Sequence, residues 1–287
     1  QRFINSLSKK YIVNVCAWNR QGDKIEKTNN YFIYNSREGY RNKIKKLMGL
    51  RKYYRFLKKI IKKSEPNIVI ASFWDMLFLA SKVKKNNDFI LIYDNLDMPS
   101  ANNKFINKII QLIEKNALKK TNGIIFASRF FEKYYNKYTM DKIIFENYPS
   151  KIIVSNDTAI NKWINERKIY KKSIGFLGVI RYYEILKNVI DAVKDLKINF
   201  YLFGNGPELN KLENYAKDIN NVHFFGSYEY NQIVNIYNNI DILWAAYPSK
   251  DFNVKNAISN KFFESIIYNV PGIYSKNTKL GAYVEKN

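Results

Sequence analysis

The stretch NAISNKFFESIIYNVPG, residues 256–272, decides how the chain is read. Phe262, Phe263, Ile266 and Ile267 recur at i, i+1, i+4 and i+5, which makes one apolar stripe of a helix. Ser259 or Asn260 is placed to cap its start. Asn269 followed by Val270-Pro271-Gly272 ends it, and a strand follows. Glu264 falls off the stripe one turn in, and Lys261 falls in the first turn. Two readings are open. In one, the helix is simply amphipathic and Glu264 is solvated. In the other, the free N–H groups and positive dipole end face a phosphate, and Glu264 accepts two vicinal hydroxyls, as on a ribose.

The flanking sequence repeats one rhythm. In the second half, short apolar runs at 173–177, 199–203, 222–225, 240–245 and 272–274 alternate with helical stretches at 183–196, 209–217 and 230–237. The first half does the same, with strands at 11–18, 31–34, 67–72, 89–93, 123–127 and 142–145. Helices are expected there at 41–63, 76–84, 105–118 and 129–135. Most of these strands are continuous apolar runs rather than alternating ones, which marks parallel sheets covered on both faces. The pattern weakens and charges accumulate over 151–172, where a domain boundary is expected. The expectation is an α/β chain of two domains, 1–165 and 166–287.

Composition narrows the function. The chain has 287 residues, 46% of them hydrophobic, enough for two cores. No apolar run approaches the roughly 20 residues of a spanning helix. The start, QRFINSLSKKYIVNV, contains a short strand and has no cleavage-site pattern of a signal peptide. Cys16 is the only cysteine and His223 the only histidine, which leaves no intrachain disulfide, no multi-His metal site and little basis for Ser-His chemistry. His223 within VHFFG reads as a packed residue. The net charge of +23 attracts phosphates of nucleic acid, anionic lipid or nucleotide. It is concentrated at 41–63, with eleven Lys or Arg and no acid interleaved with Ile, Leu, Met and Phe. That block is either a helix lying on an anionic membrane or a core-facing helix with a solvated back.

Candidate ligand groups fall at the carboxyl ends of strands, where open α/β sheets bind ligands. Gly178 and Arg181 follow the first strand of the second half, with Lys187 in the helix after them. Gly204-Asn205-Gly206-Pro207 follows the next. Glycines let a ligand approach the backbone, and Arg181 with Lys187 can clamp a diphosphate. The third glycine of a dinucleotide fingerprint is lacking, since Leu209 stands there. In the first half, Asp94 and Asp97 end a buried strand and Asp75 opens a helix; ligand contact and capping are both open for them.

Taken in order, IGFLGVIRYYEILKNVIDAV, YLFGNGPELNKLENYA, VHFFGSYEYNQIVNIYNNIDILWAAYP and SNKFFESIIYNVPGIY resemble the donor-binding half of GT-B glycosyltransferases of the retaining family 4 type. NIVIAS, LIYDNLD, GIIFAS and FENYPS fit the first half of that family more loosely. The resemblance implies two Rossmann-like domains with an interdomain cleft, the first on the acceptor side and the second holding the donor. The family's first strand and closing helix have no counterpart here, so truncation at both ends is expected. It further implies a nucleotide diphosphate-sugar donor, a glycan or lipid-linked acceptor, and work in bacterial surface polysaccharide synthesis. No cofactor or metal is implied, and neither is a specific nucleic acid. The location implied is cytoplasmic, with peripheral attachment to the inner face of the cell membrane. By this resemblance Glu264 holds the ribose, Arg181 and Lys187 neutralise the leaving diphosphate, and Gly178, Gly204, Gly206 and Lys261 border the donor. The family often carries a Glu eight residues before the Glu264 position. Here that residue is Asn256, which can contact the sugar but carries no charge, and Asp251 in the same loop is a weaker substitute. Rival readings are a non-catalytic nucleotide-sugar binder, a nucleotide-sugar epimerase and a nucleic-acid binder; no reader motif supports the last.

Overall fold

The computed structural model describes residues 2–20, 30–37, 43–85, 87–101, 103–149 and 159–287. Residues 151–158 of the expected boundary stretch lie outside them. The chain runs α1 (Arg2–Leu7), β1 (Val15–Asn19), β2 (Tyr31–Asn35), α2 (Lys43–Ser64), β3 (Ile68–Ser72), α3 (Trp74–Lys84), β4 (Ile90–Asn95), α4 (Lys104–Leu118) and β5 (Gly123–Phe126). A 3-10 turn (Glu132–Tyr135), β6 (Asp141–Ile144), α5 (Ala159–Arg167), β7 (Lys172–Leu177), α6 (Tyr183–Val193), β8 (Ile198–Phe203), α7 (Leu209–Ala216) and β9 (Val222–Gly226) follow. A second 3-10 turn (Tyr230–Gln232), α8 (Ile233–Asn238), β10 (Ile242–Trp244), α9 (Phe252–Asn256), α10 (Asn260–Ile267), β11 (Gly272–Ile273) and α11 (Lys279–Lys286) close it.

The expected parallel sheets are present. β1 pairs with β2, β3 with β4, β7 with β8, and β8 with β9, all parallel. The sheets have the orders β1-β2, β3-β4-β5-β6 and β11-β10-β7-β8-β9. Two compact units divide the chain. One comprises Gln1–Asn95, Ala101–Ile125 and Met140–Lys142; the other comprises Leu96–Ser100, Phe126–Thr139 and Ile143–Asn287.

Local differences from the sequence reading have local causes. Ahead of the strand expected at 11–18 the chain forms α1, and β1 begins only at Val15. The helix expected at 129–135 shortens to a 3-10 turn. α2 buries Tyr53, Leu57 and Ile61, spaced four residues apart, so this apolar face belongs to the core, and Lys58, Lys59, Lys62 and Lys63 form a solvated back. These three side chains are therefore not available to a lipid surface. Among the described residues no helix is long and apolar enough to cross a membrane.

In the second unit β7 lies between β8 and β10, so successive crossovers leave it in opposite directions. One face of the sheet carries Leu177, Tyr201, Phe203 and Leu243 packed against Ile233, Ile236 and Tyr237 of α8. The other carries Phe176, Phe200 and Leu202 against Leu186, Val189 and Ile190 of α6 and Leu212 of α7. Two buried amides brace the strand starts. Asn199 accepts from the N–H groups of Ile169 and Tyr170 and donates to the carbonyls of Tyr170 and Lys172. Asn221 donates to the carbonyls of Val193, Leu196 and Ile198. Asn199→Ala leaves several of these backbone groups unpaired. It is expected to cost roughly 2–3 kcal/mol, read as a melting temperature lower by roughly 4–12 °C. An unchanged melt would show that the amide carries no structural weight.

Candidate functional site

The order β11-β10-β7-β8-β9 puts the reversal of strand order between β7 and β10. A crevice opens at the carboxyl ends of strands at such a reversal, and ligands of open α/β sheets bind there. The segments leaving those ends are Gly178–Arg181 after β7, the stretch through α9 to α10 after β10, and the Gly204–Pro207 turn after the neighbouring β8.

Backbone crowding holds the two glycine segments together. Gly178 donates to the Phe203 carbonyl at 2.8 Å, Ile180 to the Asn205 carbonyl at 3.0 Å, and Glu208 back to the Ile180 carbonyl at 3.1 Å. Gly204 donates to Gly226 at 2.6 Å. Gly178 and Gly204 have φ of 136° and 138°, which a side chain rarely tolerates. A Cβ on Gly204 would fall inside the Gly178 carbonyl group, and one on Gly206 would collide with the Ile180 backbone. The space that a Cβ on Gly178 would enter is bordered by the Lys261 ammonium, 3.2 Å away. The α10 helix thus lays its first-turn cation against the β7 turn.

Ser259 is the cap of α10, its Oγ accepting from the Lys261 N–H. The helix face differs from the expectation. Phe263, Glu264 and Ser265 are buried, while Ile266 is 61% exposed. Glu264 is tolerated inside because the buried Tyr237 hydroxyl donates to its Oε2 at 2.9 Å. Burial, and then the adjacent Glu264 carboxylate, push the Tyr237 phenol far up, so it stays a donor. Tyr228 and Tyr247 are held up in the same way by burial, with Lys261 opposing at Tyr228 and a Ser259 hydrogen bond and Arg181 opposing at Tyr247. Tyr237 is thus the neutral tyrosine that holds Glu264.

The two predicted cations have different neighbours. Arg181 is exposed with its guanidinium 4.9 Å from the Tyr182 ring centre. Lys187 lies on α6, where its ammonium pairs with Asp191 at 2.7 Å and sits 4.7 Å from the Tyr215 ring centre. The Tyr215 hydroxyl donates to the same Asp191. Lys187 thus has a carboxylate partner on its own helix.

Asn256 is buried, and its amide is engaged within the protein. Its Oδ1 accepts from the Tyr134 hydroxyl at 2.8 Å and its Nδ2 donates to the Phe252 carbonyl at 2.9 Å. Asp251 caps α9, accepting from the N–H groups of Asn253 and Val254. Asn253 then clasps Met98, accepting from its N–H at 2.8 Å and donating to its carbonyl at 3.1 Å. That clasp fixes the neighbouring Asp97, whose carboxyl is pushed up by partial burial and by Asp251, with Arg181 opposing. Asp94 and Asp75 sit in the other unit. Asp94 is buried and accepts from Ser72 Oγ at 2.7 Å, and burial pushes its carboxyl up against that bond. Asp75 accepts from the N–H of Met76 and lies 3.7 Å from Arg20, whose guanidinium covers Trp18. His223 packs 5.6 Å from the Tyr201 ring, and burial lowers its basicity. Tyr237, Tyr134 and Asn253 carry much of this geometry, and no local pattern in the sequence marks them.

Residues 157–284 match the model of the family glycosyl transferases group 1. No curated protein matches the chain by sequence. Among solved structures, sucrose-phosphate synthase from Thermosynechococcus elongatus superposes with TM-score 0.72 at 13% identity, over 94% of this chain and 73% of that one. The Anabaena protein HepE in complex with UDP-glucose superposes with TM-score 0.65 at 12% identity, over 95% and 82%. Trehalose-6-phosphate synthase, described with glycosyl transfer with retention, gives 0.65 at 10% identity, over 99% and 82%. The fold is GT-B, and residues 157–284 are similar to the glycosyl transferases of group 1.

Gly204→Ala and Gly226→Ala separate strain from crowding. Both positions have positive φ, but a Cβ on Gly226 meets nothing within 4 Å. Gly226→Ala is expected to cost about 1–2 kcal/mol. Gly204→Ala should melt well below it, because its Cβ also displaces the β7 turn. Equal melting temperatures would overturn the crowding argument.

Proposed function

We propose that this chain moves a sugar from a nucleoside diphosphate donor to a glycan or lipid-linked acceptor, as a hexosyltransferase acting with retention. The observation that carries the reading is the reversal of strand order in the second unit, bordered by Gly178, Lys261 and the buried Glu264 of α10. The diphosphate lies along the glycine turns, where backbone approach is closest. Arg181 and Lys261 supply positive charge as the sugar–phosphate bond breaks, which stabilises the leaving group electrostatically without a metal. Lys187 joins them only by leaving Asp191. Glu264, with one oxygen held by Tyr237, receives the two ribose hydroxyls on the other. Asn256 acts mainly by holding the 252–256 turn in place, with one N–H left for the sugar. Asp97 and Asp251 flank Arg181 and limit its reach until the donor's negative charge competes for it. Asp75 and Asp94 belong to the acceptor side. The work in surface polysaccharide synthesis is part of the same proposal.

The nucleotide to try first is uridine, since HepE has been solved with UDP-glucose. A hydrolysis screen over common nucleotide sugars tests the activity. Glu264→Ala is expected to weaken UDP binding by roughly 1.5–3 kcal/mol in calorimetry; unchanged affinity in a folded variant would remove the ribose role. Arg181→Ala is expected to lower turnover by a factor on the order of 10²–10³, and EDTA to leave it unchanged. Activity abolished by EDTA and restored by magnesium would overturn the metal-free step. A non-catalytic binder of the same donor is the second reading, favoured by the uncharged, internally bonded Asn256. It would bind UDP normally and release no sugar.

A further inference from the structure

The core takes the apolar face of α2, but α4 presents one to solvent. Phe105, Ile109 and Leu112 are 72%, 40% and 59% exposed. Their i, i+4, i+7 spacing aligns them in one stripe along the outer face. On the opposite side Ala117 and Leu118 are buried, together with Glu114, the only acid of the helix. Lys104, Lys108 and Lys115 lie along one edge of the stripe, roughly 60–100° around the helix at about 100° per residue. Among the described residues no carboxylate pairs with any of the three. The helix is firmly started, because Asn103 Oδ1 accepts from the N–H groups of Phe105 and Ile106. A formed helix with an apolar outer stripe and a lysine edge has the build of an element that lies flat in a lipid interface.

We propose that α4 docks the protein on an anionic membrane, with Phe105, Ile109 and Leu112 entering the acyl boundary and the three lysines meeting lipid phosphates. Charge selects this occupant over a second copy of the chain. Two copies apposed through this face would bring like lysine edges together on molecules of net charge +23. An anionic leaflet attracts the same edge. The basic back of α2 adds to the attraction without inserting. This goes beyond the transfer reaction, and the surface does not depend on the donor site.

Flotation of the full chain tests it, with vesicles of phosphatidylcholine containing about 30% phosphatidylglycerol and with phosphatidylcholine alone. Wild type is expected to float with the anionic vesicles only. Phe105→Gln with Ile109→Gln and Leu112→Gln should lower the bound fraction about tenfold at both low and high salt. Lys104→Gln with Lys108→Gln and Lys115→Gln should lower it at low salt. Lys58→Gln with Lys59→Gln on the back of α2 should lower it less. Leu112→Gln alone repeats the test with minimal change to the helix, and circular dichroism checks each fold. The proposal is overturned if the stripe variants float like wild type, if the α2 variant accounts for the loss, or if wild type sediments as a dimer that the stripe variants break. UDP binding measured on the same variants should be unchanged. A loss of flotation with intact UDP binding therefore bears on α4 alone.

Discussion

The second unit depends on how closely two backbone segments meet at the end of its sheet. The turn after β7 and the turn after β8 share three hydrogen bonds, and Gly204 lies so near the Gly178 carbonyl that no side chain fits between. Neither turn can move without the other. Because β7 is central to the sheet, this fixed pair stands where the strand order reverses, and α10 brings Lys261 against it. A site assembled this way rests on strand ends and needs no long loop to order itself.

Polar side chains inside the unit are held by a second device, the tyrosine hydroxyl. Tyr237 donates to Glu264, Tyr134 to Asn256, and Tyr215 to Asp191. At the buried Tyr237 the phenol brings apolar bulk together with one donor, so it fills a core position and satisfies an acceptor at once. Burial and the adjacent carboxylate both oppose loss of the Tyr237 proton. Elsewhere the device is an ion pair: Arg129 bonds Glu146 through its backbone N–H and its guanidinium. Burial raises that carboxyl, but the Arg129 bonds together outweigh it and hold it below its ordinary range.

Parallel sheets, the strand–helix alternation and the glycine turns were legible because they are written in short-range patterns. Continuous apolar runs such as NFYLF can only be strands covered on both faces, and residues 198–203 are one. Ser259 as a cap and Asn269 as the left-handed residue after α10 also follow from local chemistry. The helical stripe of α10 was less reliable. Phe263 is buried as expected, yet Ile266 and Ile267 face solvent and Glu264 faces inward. The deciding partner, Tyr237, lies 27 residues away on α8, and no periodicity within α10 can anticipate it.

The sequence by itself determined the α/β class, the positions where the chain must turn on glycine, and which strand ends carry polar groups. These follow from backbone sterics and from the period of apolar residues, which act within a few positions. Only the tertiary structure decided which cation meets the glycine turn. Lys187 and Lys261 are equally basic in the sequence, but one finds Asp191 a turn away on its own helix while the other is carried across to Gly178 by α10. It likewise decided which basic helix keeps its apolar face. α2 and α4 both carry lysines among apolar residues, and the core accepts Tyr53, Leu57 and Ile61 while leaving Phe105, Ile109 and Leu112 outside. The physical reason is that burial and ion pairing are satisfied by partners distant in the chain, whereas propensity and periodicity are properties of neighbours.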